Sequence, residues 1–251
     1  MIKAAIFDMD GTILDTAYDL AEAINYAMGA AGHRHDFTRE DACFFFGSGL
    51  LVAIRRALAA EAGAPHEALL VIGTEQEGEV PEGTRQEVER IRQLYMPYYS
   101  VHCEDHTGPY PGIPQAIRAL REKGIRTAVV SNKPDSATQA LARQHFPGLF
   151  DLAVGERPAV RRKPAPDMTL AALKELGVSP EEAVYVGDTE IDLETAANSG
   201  LPCVTVSWGF RSAAYLRALG AEPIVQTAEE MRDAILSLKL KSGTRLSRIL
   251  P

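Results

Sequence analysis

Cysteine is scarce in this chain: Cys43, Cys103 and Cys203 are the only three in 251 residues. An odd and widely scattered set offers no disulfide framework and reads as reduced thiols, the pattern of a cytosolic protein. Long apolar runs are missing as well. None approaches the length of a membrane span, and the run before Asp8 is too short for the hydrophobic region of a signal peptide. Positive charge is in deficit, with 26 Lys and Arg against 34 Asp and Glu and a net charge of −8. That balance argues against general nucleic-acid binding and gives no long-range attraction for an anionic substrate. A site for such a substrate has to be made positive locally, by metal, lysine and backbone amides. Internal repeats and low-complexity segments are absent. What remains is ordinary globular composition, 46% hydrophobic and 24% charged. The length suits one large α/β domain, or a core domain with a smaller second one.

The most informative stretch is Ile2-Lys3-Ala4-Ala5-Ile6-Phe7-Asp8-Met9-Asp10-Gly11-Thr12. A near-continuous apolar run reads as a strand buried on both faces, as in parallel sheets. It ends abruptly in two carboxylates one residue apart. Charges where such a strand emerges lie at the crevice in which open α/β sheets bind ligands. Two acids crowded there repel, so they need a cation, a shared proton or both.

Three more polar clusters follow apolar strand candidates. Ser131-Asn132-Lys133 follows Thr127-Ala128-Val129-Val130, and Lys163-Pro164-Ala165-Pro166 follows Leu152-Ala153-Val154-Gly155. Gly187-Asp188-Thr189-Glu190-Ile191-Asp192 follows Ala183-Val184-Tyr185-Val186. All four clusters are expected at one end of one sheet.

From about residue 110 strands and helices alternate. Helices are expected over Ile113–Lys123, from Asp135 to about His145, over Asp167–Leu176 and over Glu190–Ser199, with Gly124, Gly177 and Gly200 as stops. Ser179-Pro180-Glu181-Glu182 and Thr227-Ala228-Glu229-Glu230 match the capping-box pattern at helix starts, and Pro202–Ser207 and Pro223–Val225 read as strands. This order implies a parallel sheet covered on both faces. Residues 16 to 100 break the rhythm with helical patterns at Leu20–Met28 and Leu50–Ala62. Glu75, Glu77, Glu79 and Glu82, interleaved with Gly78, Pro81 and Gly83, read as a solvated loop. Residues 239–251 carry four basic side chains and no acid, and read as a mobile or surface-docked tail.

With its four motifs in order between residues 8 and 192, the chain resembles the haloacid dehalogenase superfamily of phosphohydrolases. Within it the closest likeness is to the phosphoglycolate phosphatase group with an inserted helical cap. The resemblance implies a doubly wound α/β core, residues 1–15 and 101–251, and a helical cap, residues 16–100. It also implies a magnesium-dependent, cytoplasmic phosphatase, monomer or homodimer, acting on a small phosphorylated metabolite, with 2-phosphoglycolate foremost. A sugar phosphomutase of the β-phosphoglucomutase kind would use the same core residues. A non-enzymatic phospho-receiver would share the sheet and acids but has no reason for a cap.

The candidate roles follow from the chemistry of phosphate esters, where catalysis consists of neutralising charge and aligning attack. Asp8 is the candidate nucleophile and Asp10 the candidate general acid and base. Gly11 permits the tight turn, and the amides near Thr12 are expected to hold phosphate oxygens. Lys163 is the fixed cation on a loop stiffened by Pro164 and Pro166. Arg161 and Arg162 beside it read as ordinary loop charges. Ser131 is expected on the transferring phosphoryl group and Asn132 on substrate or phosphate. Asp8, Asp188 and, by the resemblance, the backbone carbonyl of Asp10 would hold magnesium. Asp192 is expected to hold Lys163 or a metal-bound water. Gly47-Ser48-Gly49 reads either as a turn between cap helices or as a loop touching the leaving group. His102-Cys103-Glu104-Asp105-His106 has ligand residue types but no second cluster to complete a zinc site.

Overall fold

The computed structural model describes residues 1–238, so the basic 239–251 segment lies outside the described residues. Eight strands are present: β1 (Ala4–Phe7), β2 (Leu14–Asp15), β3 (Gly108–Pro109), β4 (Arg126–Pro134), β5 (Leu152–Glu156), β6 (Ala183–Gly187), β7 (Cys203–Val206) and β8 (Ile224–Val225). Six of them pair in parallel in the order β5-β4-β1-β6-β7-β8. The first strand is central, and all four of its residues are fully buried. Chain order runs outward from β1 through β4 to β5, then restarts on the other side at β6. The β1–β6 boundary is therefore the switch point at which such sheets bind ligands.

Side chains alternate across the sheet. Ala5, Phe7, Val129, Val184 and Val186 pack with Ile117, Leu141 and Met231 on one face. Ala4, Ile6, Ala128, Val130 and Tyr185 pack with Met168, Leu173 and Ala196 on the other. Helices Ile113–Glu122, Asp135–His145 and Ala228–Ser237 thus cover one side, and Asp167–Leu176 and Glu190–Ser199 the other. At ~1.5–3 kcal/mol for each large apolar side chain removed from water, this two-sided burial holds the strand ends in place.

The helices end where the glycines predict, but Pro180–Glu182 is only one 3-10 turn. Ser179 offers no cap to a backbone amide, and its hydroxyl donates instead to Glu182 Oε2 at 3.3 Å. The chain must enter β6 at Ala183, so no room remains for a second turn. By contrast, Thr227 accepts from the Glu230 amide at 3.1 Å and opens a full helix.

Five helices lie between β2 and β3: Ala17–Ala30, Arg39–Phe45, Leu50–Glu61, His66–Leu69 and Glu82–His102. They share an apolar cluster of their own around Ile24, Met28, Phe45, Ile54 and Ile91. The antiparallel ribbon of β2 and β3 brings the two ends of this block together. The glutamate-rich stretch is non-helical up to Pro81, but Glu82 and Gly83 belong to the long helix. Its buried Val88, Ile91, Tyr95 and Tyr99, spaced three and four apart, carry the helix back through the glycine. Glu77 takes a hydrogen bond from Gly73 N at 2.7 Å and pairs with Arg55 at 2.9 Å.

Candidate active site

Each of the four predicted clusters lies at the C-terminal edge of the sheet. Asp8 follows β1, Ser131-Asn132-Lys133 closes β4, Lys163 lies in the loop after β5, and Asp188 follows β6. A fifth cluster, Trp208-Gly209-Phe210-Arg211, follows β7. Lys163 is fully enclosed, with Nζ 2.8 Å from Asp8 Oδ1 and 2.8 Å from Asp192 Oδ1. Asp192 Oδ2 accepts from the amides of Asp188 (3.2 Å) and Thr189 (3.0 Å) and from the Thr189 hydroxyl (2.8 Å). This is a capping box at the start of Glu190–Ser199, and it leaves Asp192 facing Lys163. Asp188 accepts from the Thr12 hydroxyl at 2.6 Å and from the Phe210 amide at 2.7 Å.

Carboxylate oxygens of Asp8, Asp188 and Asp192 all lie within 4.8 Å of one another. Burial pushes the Asp8 carboxyl up to about 7, although Lys163 pulls it down. Burial also drives Asp188 well above the usual carboxylate range, helped by the charges of Asp192 and Asp8. Burial alone would lower Lys163, but Asp192 and Asp8 outweigh it and hold the ammonium firmly protonated. Three acids share one lysine, and Asp192 already has its oxygens engaged. Asp8 and Asp188 are left as an uncompensated pair, a donor set of hard oxygens that fits a divalent cation.

Gly11 is essential to this crowding. Its φ is +83°, and a Cβ there would sit 2.3 Å from Asp188 Oδ2. The Gly11 and Thr12 amides do not point at the phosphate position expected for them. They donate to Leu14 O and Met9 O, closing the turn, while the Thr12 side chain orients Asp188.

Asp10 is held by Lys133, whose Nζ lies 2.8 Å from Asp10 Oδ1 and 2.5 Å from the Tyr99 hydroxyl. Tyr99 belongs to the helix Glu82–His102 and stacks on Tyr95 with 5.1 Å between ring centroids. One ammonium thus ties the acid–base candidate to the helical block. Ser131 and Asn132 lie beside it. The Ser131 hydroxyl accepts from the Lys133 amide at 3.2 Å, leaving its own proton free for a ligand. Asn132 clasps the Lys163 backbone, accepting from its amide at 2.8 Å and donating to its carbonyl at 3.1 Å. Its amide also reaches Gly47 O at 3.4 Å, so it positions Lys163 and the 47–49 loop instead of presenting a donor to substrate.

A cavity of about 400 Å³ opens above these groups, between sheet edge and helices. Asp8, Asp10, Ser131, Lys133 and Lys163 form its floor, and Leu20, Phe46, Leu50, Tyr95 and Met96 line it from the helices. Gly47 and Gly49 line it too, whereas Ser48 is turned away. The Ser48 hydroxyl accepts from buried Arg56 at 3.3 Å, because that guanidinium also gathers the carbonyls of Phe44, Phe45 and Ile72. The expected serine contact to a leaving group is thereby corrected: the loop offers backbone only.

Lys133, Tyr99, Glu190, Phe210 and Arg211 were not foreseen as site residues. Arg211 pairs with Glu190 at 2.8 and 2.9 Å and donates to the carbonyls of Cys43 and Phe46. A polar cluster after one more strand was the available signal for Phe210 and Arg211. Of the His102–His106 cluster, His102 pairs with Asp105 at 2.7 Å. The amides of His106 and Thr107 donate to Asp19, each at 2.9 Å, which pins the exit of the long helix.

Known proteins share this architecture. The family model for haloacid dehalogenase-like hydrolases matches residues 2–200. A phosphoglycolate phosphatase of Cereibacter sphaeroides is 34% identical over 213 residues, covering 84% of this chain and 88% of its own. One from Aquifex aeolicus is 29% identical over 214 residues, covering 83% and 86%. A crystal structure from Lactobacillus delbrueckii, of a protein named as a candidate phosphoglycolate phosphatase, is 54% identical with a TM-score of 0.91, covering 94% of this chain and 99% of its own. With acids, lysine and cavity placed as described, the chain belongs to the haloacid dehalogenase-like hydrolases and is an enzyme of the phosphoglycolate-phosphatase-like kind.

Proposed function

We propose that this enzyme is a magnesium-dependent phosphatase of a small phosphorylated metabolite, foremost 2-phosphoglycolate, and that it works through an aspartyl-phosphate on Asp8. The observation that carries the reading is the pairing of two carboxylates in different settings on one cavity floor. Asp8 is clamped to Lys163, and Asp10 is clamped to Lys133. Asp8 attacks phosphorus, and the ester P–O bond breaks. Asp10 delivers a proton to the departing oxygen, then recovers one from the water that releases phosphate. Lys133 occupies Asp10 Oδ1, which leaves Oδ2 to carry that proton. Lys163 and the Ser131 hydroxyl offset charge on the phosphoryl oxygens. Asp8, Asp188 and the Asp10 carbonyl would hold magnesium, which supplies a further positive charge against the phosphoryl group. The apolar ceiling excludes water until the leaving group has gone.

Phosphate release across a panel of phosphate esters with magnesium tests this reading directly. Inorganic phosphate should appear from 2-phosphoglycolate. From glucose 1-phosphate, free phosphate should form faster than glucose 6-phosphate, and the reverse order would make the enzyme a mutase.

Metal binding should depend on pH in a defined sense. An ordinary aspartate titrates near 4, and Asp8 is raised to about 7. In metal-free protein this group's contribution to stability is full below about pH 4 and is lost as pH rises toward 7. Magnesium must displace the same proton, so its apparent Kd should rise about tenfold per pH unit below 7. Calorimetric titration at pH 5.5 and 7.5 measures this. An unchanged Kd would remove Asp8 from the metal-binding set.

A further inference from the structure

Four cations line the active-site cavity: Arg92, Lys133, Arg162 and Lys163. Three of them are already neutralised. Lys163 faces Asp8 and Asp192, Lys133 faces Asp10, and Arg92 pairs with Glu89 at 2.7 Å. Arg162 differs. Among the described residues no carboxylate lies within ion-pair distance of it, Glu156 on the same cavity included. Its neighbour Arg161, by contrast, points outward and pairs with Asp167 at 2.9 Å.

The setting of Arg162 is built, not incidental. Its carbonyl accepts from Ala165 N at 3.0 Å, closing a turn, and the next residue is locked by Asn132. From that fixed base the guanidinium crosses to the helical block and lies against Gly49. A Cβ at Gly49 would come within 2.6 Å of Nη1, and the residue has a φ of +86°. Only glycine lets the cation rest there. The walls nearby are apolar, from Phe46, Leu50 and Leu51. A half-buried guanidinium among such groups lacks the charge that would compensate its lost hydration. Its planar fork matches a carboxylate bidentately.

We propose that Arg162 is the specificity-determining residue of this enzyme, binding the carboxylate of the leaving group and so selecting phosphate esters of small hydroxy acids. The proposal rests on the phosphatase reading above. Bound this way, the substrate bridges two cations, Lys163 at its phosphoryl end and Arg162 at its carboxylate end, with the 47–49 loop closing over the link.

The test compares kcat/KM for 2-phosphoglycolate with that for its isosteric amide, 2-phosphoglycolamide, in the wild type and in Arg162→Gln, Arg162→Lys and Arg92→Gln. The wild type should prefer the carboxylate. Arg162→Gln should lower the preference ratio by ~10–100-fold, the scale of a charge-assisted hydrogen bond, mostly through KM. Arg162→Lys, which keeps the charge without the fork, should fall between. Arg92→Gln should stay within about threefold, as for an exposed pair. An unchanged ratio in Arg162→Gln, or an equal fall in Arg92→Gln, overturns the assignment. A wild type that hydrolyses both esters equally well overturns it too while leaving the phosphatase reading intact. Failure to hydrolyse either ester would bring down both.

Discussion

Asp8→Asn should abolish turnover and leave a fold at least as stable as the parent in the absence of metal. Loss of a covalent nucleophile is felt on a scale of ~10⁵–10⁶-fold in kcat, because no neighbouring group can take its place. Asp10 is tied to Lys133, and Asp192 has both oxygens engaged, so neither can substitute. The amide nearly preserves the shape of the acid. Lys163 keeps its contact with Asp192 at 2.8 Å, so the lysine is not orphaned. Asp8 and Asp188 are both held above the usual carboxylate range by burial. Replacing one by a neutral group therefore removes repulsion, and the melting temperature of metal-free protein near pH 7 should hold or rise. Single-turnover phosphate release and thermal denaturation give the two readouts. A variant retaining a tenth of the activity would rule out covalent catalysis by Asp8.

The second large effect is expected on stability, from Arg211→Met. Arg211 and Glu190 form a buried pair at 2.8 and 2.9 Å, and Arg211 also satisfies the carbonyls of Cys43 and Phe46. Burial alone would raise the Glu190 carboxyl, but Arg211 outweighs it and holds the group below its ordinary value. Removing one partner of a buried pair leaves an uncompensated charge, at a cost of about 3–5 kcal/mol. The double variant Arg211→Met, Glu190→Leu should regain most of that loss, since two apolar side chains of similar volume leave no charge stranded. A carboxyl with a depressed value contributes stability above its unfolded pKa, near 4.3, and loses it as pH falls through the folded one. The difference between parent and Arg211→Met should accordingly be largest at neutral pH and narrow in acid. Urea unfolding measures each case. A single variant within 1 kcal/mol of the parent would show that the pair only breaks even.

Arg211 also shows where reading the chain stopped short. The strand ends before Asp8, Ser131, Lys163 and Asp188 were legible because strands of a parallel sheet, buried on both faces, are apolar without interruption. An abrupt polar residue then marks where the strand leaves the sheet. Helix limits such as Asp167–Leu176 and Glu190–Ser199 were legible for a related reason: caps and glycine stops act within four residues. Ser179 failed because its box was right but the strand beginning at Ala183 was too close. The ribbon of β2 and β3 left no trace, since two residues per strand carry no period.

The amino-acid sequence by itself determined the order of strands and helices and the identity of Asp8, Asp10, Lys163 and Asp188, because buried runs and local caps are properties of neighbours along the chain. Only the tertiary structure decided who meets whom across the site. Lys133 reaches Asp10 across 123 residues, and Thr12 reaches Asp188 across 176. Ser48 turns to Arg56 instead of the cavity, and Arg162 faces inward while Arg161 faces solvent. Residue type states what a side chain can do, whereas the charges and space around it, assembled from distant segments, determine which of those things it does.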